Sequence, residues 1–562
     1  MKLKNIKNRQ VFLIAFLVIS IAACKRDDFL NVPPKGIVTD DATFSSETNA
    51  DLFVNDIYNN LPDLNNNTEM LDQWTDNSMT GASNQPGQAI IRNNSINPNA
   101  DGATNGPVNA FRWETVYGNI RKCNVFLQQA DKNKGNFSET FYKSRVAEIK
   151  FLRAFYYSLL LQNYGGVPLI STPLNNLDGS DIFVARSTFD ETLAFIEVDC
   201  DAAAADLPAT TDNQNTGRAT KGAALTLKGA VDLFAASPLA NTTNDKAKWA
   251  KAAAANLAVM NLGTYGLFPD YGAQFLAVNN WNSETIFARG YALPSKGHKR
   301  EGILGPVFVH GGQQAWGNIV PTQGLVDDYE MDNGKPINDP GSGYDDQHPY
   351  VNREQRFYKS IVYDGSTWQG EPFLSRIGGG NQIDLGSTSD ITNTGYNGRK
   401  TLDESILGQT SLGTSPGTSN YQFYRYAEVL LSYAEAQNEA VGPDQSVYDA
   451  VKKVRARVAL PEIPAGLSQE KMRENIRRER RVELAFEDKR WYDIRRWDIT
   501  TKGPAVLTAA EYGMKITVGG GGVLTYTPVK VFQNTFSQYM NWLPIPQRIL
   551  NQNTKLKQNP GY

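Results

Sequence analysis

The chain has 562 residues, 41% of them hydrophobic, and a formal net charge of −3. That length exceeds what one hydrophobic core fills, so packed modules or a repeat array are expected, and the slightly acidic balance offers nucleic acid no electrostatic attraction. The three histidines, His298, His310 and His348, lack metal-ligand spacing, which argues against a zinc centre.

In chain order, the first ten residues carry Lys2, Lys4, Lys7 and Arg9 and no acid, and residues 11–23 are almost wholly apolar, ending in Ile21-Ala22-Ala23-Cys24. The run is too short for a spanning helix, which takes roughly 20 such residues, and has the charged and apolar regions of a targeting peptide. With small Ala22 and Ala23 before a cysteine, it resembles a bacterial lipoprotein signal: 1–23 removed, Cys24 acylated, 24–36 a tether. Each buried acyl methylene contributes about 0.8 kcal/mol, so one lipidated cysteine can hold a protein on a membrane. Cys123 and Cys200 fall in helical stretches, where a small buried thiol is expected over a disulfide.

Apolar residues at Trp113, Val116, Tyr117, Ile120 and Leu127 mark one face of a helix over 113–127. A longer helix follows over 139–164, ending at Gly165-Gly166 before Pro168. Residues 187–207 and 221–236 read as another pair, the first with Ser187 or Thr188 and Glu191 placed for a capping box, and 247–262 as a further helix. Helices resume at 424–439, 444–458 and 469–491. Paired helices of about 34 residues per unit predict a mainly α fold with tetratricopeptide-like repeats.

Two intervals differ in character. Residues 63–106 are rich in Asn, and 279–420 in Gly, Pro and aromatics. Structureless intervals of that length are uncommon in a compact domain unless they carry function or conceal short strands. The expected division is a helical scaffold over 37–278 with a loop insertion at 63–106, a loop-rich lobe over 279–420, and a C-terminal helical region over 421–562 that packs on the scaffold. Loops on a rigid frame make a plausible ligand face.

Residues 476–498 hold eight basic and six acidic side chains. Mixed signs favour ion pairs, and Arg480 with Glu483 and Glu487 with Arg490 lie three apart, so each pair is expected to meet on one helix face. Interleaved Val482, Leu484, Phe486, Trp491 and Trp497 make the stretch a clasp within the scaffold.

Several blocks taken together resemble the SusD/RagB family of surface lipoproteins. They are WETVYGNIRKCNVFL at 113–127, EIKFLRAFYYSLLLQNYGGVPLI at 148–170, RATKGAALTLKGAVDLFAASPLAN at 218–241, PTQGLVDDYEMDNGKP at 321–336, RYAEVLLSYAEAQNE at 425–439 and IRRERRVELAFEDKRWYDIRRW at 476–497, with LPIP at 543–546 and QNPGY at the end. Each is an ordinary segment by itself; all of them in family order behind a lipoprotein signal are specific. The resemblance implies a tetratricopeptide-like scaffold bearing an irregular binding lobe. It also implies non-catalytic capture of a nutrient, usually a glycan, and delivery to a SusC-like TonB-dependent transporter in the outer membrane of Bacteroidetes. Asp27-Asp28 behind Cys24 is similar to the export tag that sends such lipoproteins to the exterior. Peptide capture and a purely structural transporter lid are the alternatives, and no cofactor or metal is implied.

A sugar ring lays its C–H face on an indole or phenol while its hydroxyls need amide and carboxylate partners. Trp316 is therefore the first candidate platform, followed by Trp74 and Tyr291, then Trp281 and Trp368, with Asp76, Asn77 and Arg92 as hydroxyl partners from the 63–106 interval. Exposure of a cluster including Trp316 and Trp74 would favour binding; burial of all the aromatics would favour a lid. Glycoside hydrolysis needs two carboxylates about 5–10 Å apart, which composition alone does not test. No nucleophile motif or phosphate loop appears, and the glycine run at 519–522, without a following Lys-Ser or Lys-Thr, reads as a turn.

Overall fold

The computed structural model describes residues 40–81, 86–100, 111–175, 181–386, 388–497 and 505–562. The leader, Cys24 and the tether lie outside the described residues. Among the described residues no helix is long and apolar enough to cross a membrane.

The scaffold begins with α1 (Glu47–Asn59), α2 (Trp113–Lys132), α3 (Glu139–Tyr164), α4 (Phe189–Asp206), α5 (Lys221–Ala236) and α6 (Lys246–Met260). Successive helices α2 to α6 pack as neighbours, the helix pairing that the repeat reading anticipates. Helix α3 starts where the Ser138 hydroxyl accepts from the Phe141 amide at 3.3 Å and stops at Gly165, whose φ of 79° favours glycine. From Ala147 onward it is buried on nearly every side, as expected of a helix enclosed by neighbours. Helix α4 opens with the anticipated capping box: Thr188 N–H donates to Glu191 at 2.8 Å, and Glu191 N–H to the Thr188 hydroxyl at 3.1 Å. Arg153 of α3 forks onto Asp199 of α4 at 2.7 and 2.8 Å. Cys123 and Cys200 are free and buried, and burial pushes both thiols up.

The middle interval leaves and rejoins the scaffold at one place. Strand β1 (Thr285–Arg289) pairs antiparallel with β2 (Tyr421–Arg425), so the chain departs on one strand and returns on the other. Between them lie α7 (Arg300–Leu304), α8 (Gly408–Thr414) and short antiparallel hairpins. The lobe has its own apolar core, with Ile319, Leu325, Tyr329, Phe357, Ile361, Trp368 and Tyr396 packed on Met70, Val482, Phe486 and Ile516.

The chain then forms α9 (Tyr426–Val441), α10 (Gln445–Arg457), α11 (Gln469–Glu483) and α12 (Arg490–Trp497), followed by the hairpin of β3 (Ala510–Val518) and β4 (Leu524–Gln533), turned by the glycine run. Helix α9 packs on α5, α6, α10 and α11, and its buried surface closes the scaffold.

The helix anticipated over 469–491 is interrupted. Phe486 and Asp488 adopt left-handed φ of 61° and 60°. The Asp72 carboxylate accepts from the Phe486 and Asp488 amides at 3.2 and 2.9 Å, while Asp488 accepts from the Leu71 amide at 2.6 Å. These bonds replace those a continuous helix would make. The two expected local ion pairs are accordingly absent from the described bonds, and each charge takes a tertiary partner. Arg480 reaches Asp493, Arg490 reaches Asp76, Glu483 receives Arg356, Arg425 and Arg457, and Glu487 receives Lys400 and Arg425. Charges from the lobe, β2, α10 and α11 thus meet in one buried network that fastens the lobe to the scaffold.

Candidate functional site

Four backbone bonds fix the segment 314–318 against α7 and the residues after it. Gln314 N–H donates to Val307 O at 2.7 Å, Trp316 to Gly302 at 2.9 Å, Gly317 to Gly305 at 3.0 Å and Asn318 to Ile303 at 3.1 Å. Gly317 is required here: its φ is 63°, and an added Cβ would stand 2.7 Å from both Asp390 O and Val307 Cγ2. On this hydrogen-bonded backbone Trp316 is 37% exposed. A rigid segment presenting a large aromatic to water limits the ordering entropy a ligand has to overcome.

Neighbouring segments add both surface types that a sugar uses. Phe308 pairs with Gln313 across a short hairpin and is exposed, its backbone held by the Asn381 side chain at 3.0 and 2.7 Å. Gln409 of α8 donates to Gln313 O at 2.9 Å, which brings exposed Leu407 to the same hairpin. At the hairpin tip, His310 contacts Glu371 through ring Nδ1 at 3.0 Å and through its backbone amide at 2.9 Å. Phe308, His310, Glu371, Leu407 and Gln409 were not anticipated from the sequence, and the only local signal is the Gly311-Gly312 turn beside Trp316.

The other candidates are distributed differently. Trp74 is fully buried, edge-on to Trp491 at 5.3 Å and to Phe111 at 6.3 Å, so no face is available as a platform. Tyr291 is buried against His298 at 5.0 Å, with its hydroxyl given to Asp63 at 2.6 Å. Trp368 belongs to the core of the lobe. Trp281 is 36% exposed.

The hydroxyl partners anticipated from 63–106 are also turned inward. Asp76 lies between Arg481 and Arg490 at 2.9 and 2.8 Å; although burial pushes its carboxyl up, these guanidinium groups hold it well below the usual range. Asn77 accepts from Arg481 at 2.9 Å and donates to Asp72 at 2.6 Å. Arg92 donates to the carbonyls of Gln73, Thr75 and Ser78 and to Asn534. All three are buried ties between the 63–106 interval and the C-terminal region. For Asp76 the basic surplus of 476–498 was the signal, since it needs acids from elsewhere in the chain.

Carboxyls raised to about 7 by burial, with a neighbouring carboxylate adding to it in each case, are Asp72, Asp232 and Glu301. All three are within the protein interior. The exposed lobe surface is thus suited to aromatic stacking and hydroxyl recognition.

Comparison with known proteins agrees with this architecture. Residues 283–562 match the model of the SusD family, and residues 28–232 match the model described as starch-binding associating with outer membrane. SusD-like protein P25 of Formosa agariphila is 24% identical over 524 residues, covering 88% of this chain and 90% of that protein. A SusD-like protein of Bacteroides fragilis superposes with a TM-score of 0.78 at 28% identity, covering 93% of this chain and 99% of that one. A SusD-like carbohydrate binding protein of the same species gives a TM-score of 0.75 at 25% identity, covering 92% and 100%. The chain belongs to the SusD family.

Proposed function

We propose that the protein is a non-catalytic glycan receptor. It would be held at the exterior of the outer membrane by lipid on Cys24 and would pass captured oligosaccharide or polysaccharide to a SusC-like TonB-dependent transporter. The observation that carries the binding reading is the exposed Trp316 indole on a backbone fixed by four hydrogen bonds, bordered by Phe308, Leu407 and polar side chains. Burial of Trp74 removes half of the aromatic cluster that was to distinguish a binder from a lid, while the exposure of Trp316 and Trp281 supports binding. Family membership supports carbohydrate as the ligand class.

The test is a screen of the soluble form lacking residues 1–24 against polysaccharides and peptides by retardation in native gels. Retardation by one or more polysaccharides is expected. Retention by peptides alone would replace glycan capture with peptide capture, and retention by neither would favour the lid.

A further inference from the structure

Backbone contacts decide which parts of the lobe stand beside Trp316. Gly408 of α8 lies so close to the Trp316 segment that a Cβ there would collide with Gln314 O and stand 3.0 Å from the Cβ of Ala315. A Cβ on Gly317 would meet Asp390 O at 2.7 Å and Asn397 Nδ2 at 3.8 Å. Asn381, at the start of that same stretch, is bonded to the Phe308 backbone at 3.0 and 2.7 Å. Residues 305–318, 381–398 and 405–414 therefore frame the indole.

These three segments hold no lysine or arginine; besides His310, their titratable side chains that carry charge are Asp384 and Asp390. The Asp384 carboxylate is occupied within its own loop, accepting from the Thr388 and Ser389 amides at 2.8 and 2.9 Å. Asp390 is exposed, and its carboxylate has no hydrogen bond or ion pair among the described residues. The cations just outside the frame are taken. Arg376 lies on Asp364 at 2.6 Å, Arg399 donates to Glu404 at 2.7 Å and to the carbonyls of Tyr358 and Thr367, and Lys400 is buried on Glu487 at 2.6 Å. His310 is paired with Glu371. Residues 300–414 together carry 15 acidic and eight basic side chains, and the exposed Lys359 packs over Gly272 at the scaffold, so the field above this face is negative.

The polar groups left for a ligand beside the indole are the exposed amides of Gln313 and Gln409 and the Asp390 carboxylate. Amides and carboxylates bond hydroxyls, whereas a uronate or a sulfate ester is recognised through charge-assisted bonds from arginine or lysine. An anionic chain here would leave its charges without a cation and would meet a free carboxylate, which is discrimination by repulsion.

We infer that the Trp316 face takes uncharged glycan and rejects uronate- and sulfate-bearing chains, with Asp390 as the residue that sets the discrimination. Asp390 accepts from sugar hydroxyls and repels anionic substituents. This rests on the glycan-binding reading, which it narrows to a charge class.

Polymers that share a backbone separate charge from linkage. Wild type and Asp390→Asn, both lacking residues 1–24, are run in native gels against dextran, laminarin, starch, mannan and xylan, each beside its own sulfated derivative, and against polygalacturonate and alginate. Polymers that retard the wild type are then titrated at about 20 and about 300 mM NaCl. At least one uncharged polymer is expected to bind with an affinity indifferent to salt, and its sulfated derivative about ten-fold more weakly at low salt. Asp390→Asn, with an unchanged melting curve, is expected to narrow that gap about three-fold. Retardation by acidic polymers alone, or a sulfated derivative that binds as tightly as its parent, would overturn the charge class and leave glycan capture standing. An unchanged gap in Asp390→Asn would overturn the role of Asp390. Absence of retardation by every polymer would overturn glycan capture and the charge class together.

Discussion

Asp72 and Asp488 are fully or almost fully buried carboxylates that bind each other's backbone segments, and their cost has a sign. Burial, and then the charge of Asp488, raises Asp72 to about 7, above the usual 3.9 of an unfolded aspartate. Between those values the folded state holds more protons, so stability rises as pH falls from about 7 toward 4. Burial acts in the same direction on Asp232 and Glu301. His298 opposes them, because burial lowers it to about 4 and the unfolded chain protonates first below about 6.5. Below about 4 the sign reverses, since Asp76, Glu479, Glu483 and Glu487 are all held below the usual range by guanidinium or ammonium partners despite burial. Urea midpoints should therefore rise on acidification from pH 8 to about 5.5 and collapse below 4. Asp72→Asn should flatten the first limb; an unchanged slope in that variant would contradict the assignment. At Gly317, alanine would place a methyl against Asp390 O and Val307 in a left-handed backbone. Gly317→Ala is expected to destabilise by about 1–3 kcal/mol, read as a lowered urea midpoint.

Among the elements, those legible in the sequence were the ones whose signals are local. The 3.6-residue apolar period, the capping box at Thr188 and the stop at Gly165 placed α3, α4 and α5 within a residue or two. Helix α1 was overlooked although Ala50, Val54 and Ile57 carry its buried face, because its many Asn and Asp residues suggest loop. The break at 484–489 had no local signal, since the groups that hold it open come from Asp72, more than 400 residues earlier. The same long separation hid the partners of Asp76, Asn77 and Arg92, so polar residues in a loop-like interval looked available when they were internal ties. Trp316 and Trp74 were the first and second candidates in sequence, and only packing distinguishes an indole set on a surface loop from one enclosed by Trp491 and Phe111. Arg425 gives the test at this scale. Its guanidinium contacts Glu284, Glu483 and Glu487 in a site closed to solvent. Removing one member of a buried ionic network leaves charge uncompensated, at about 3–5 kcal/mol. Arg425→Ala should lower the unfolding free energy by that amount in urea titrations, and a loss below about 1 kcal/mol would show that the network does not fasten the lobe.

For the whole molecule, a helical scaffold carries a lobe whose two attachment strands lie side by side, and the proposed lipid on Cys24 would anchor both. Cys24→Ser should leave glycan affinity intact and abolish surface anchoring, measured by protease accessibility and membrane fractionation of cells expressing the full chain; persistent surface display would refute the lipid anchor. The central claim is that an exposed aromatic on the lobe captures glycan. It is tested most directly by titrating wild type and Trp316→Ala, both lacking residues 1–24, with the glycan that the wild type binds. The account predicts at least a ten-fold loss of affinity, about 1.4 kcal/mol, with an unchanged melting temperature. Equal affinities for two equally folded proteins would contradict it.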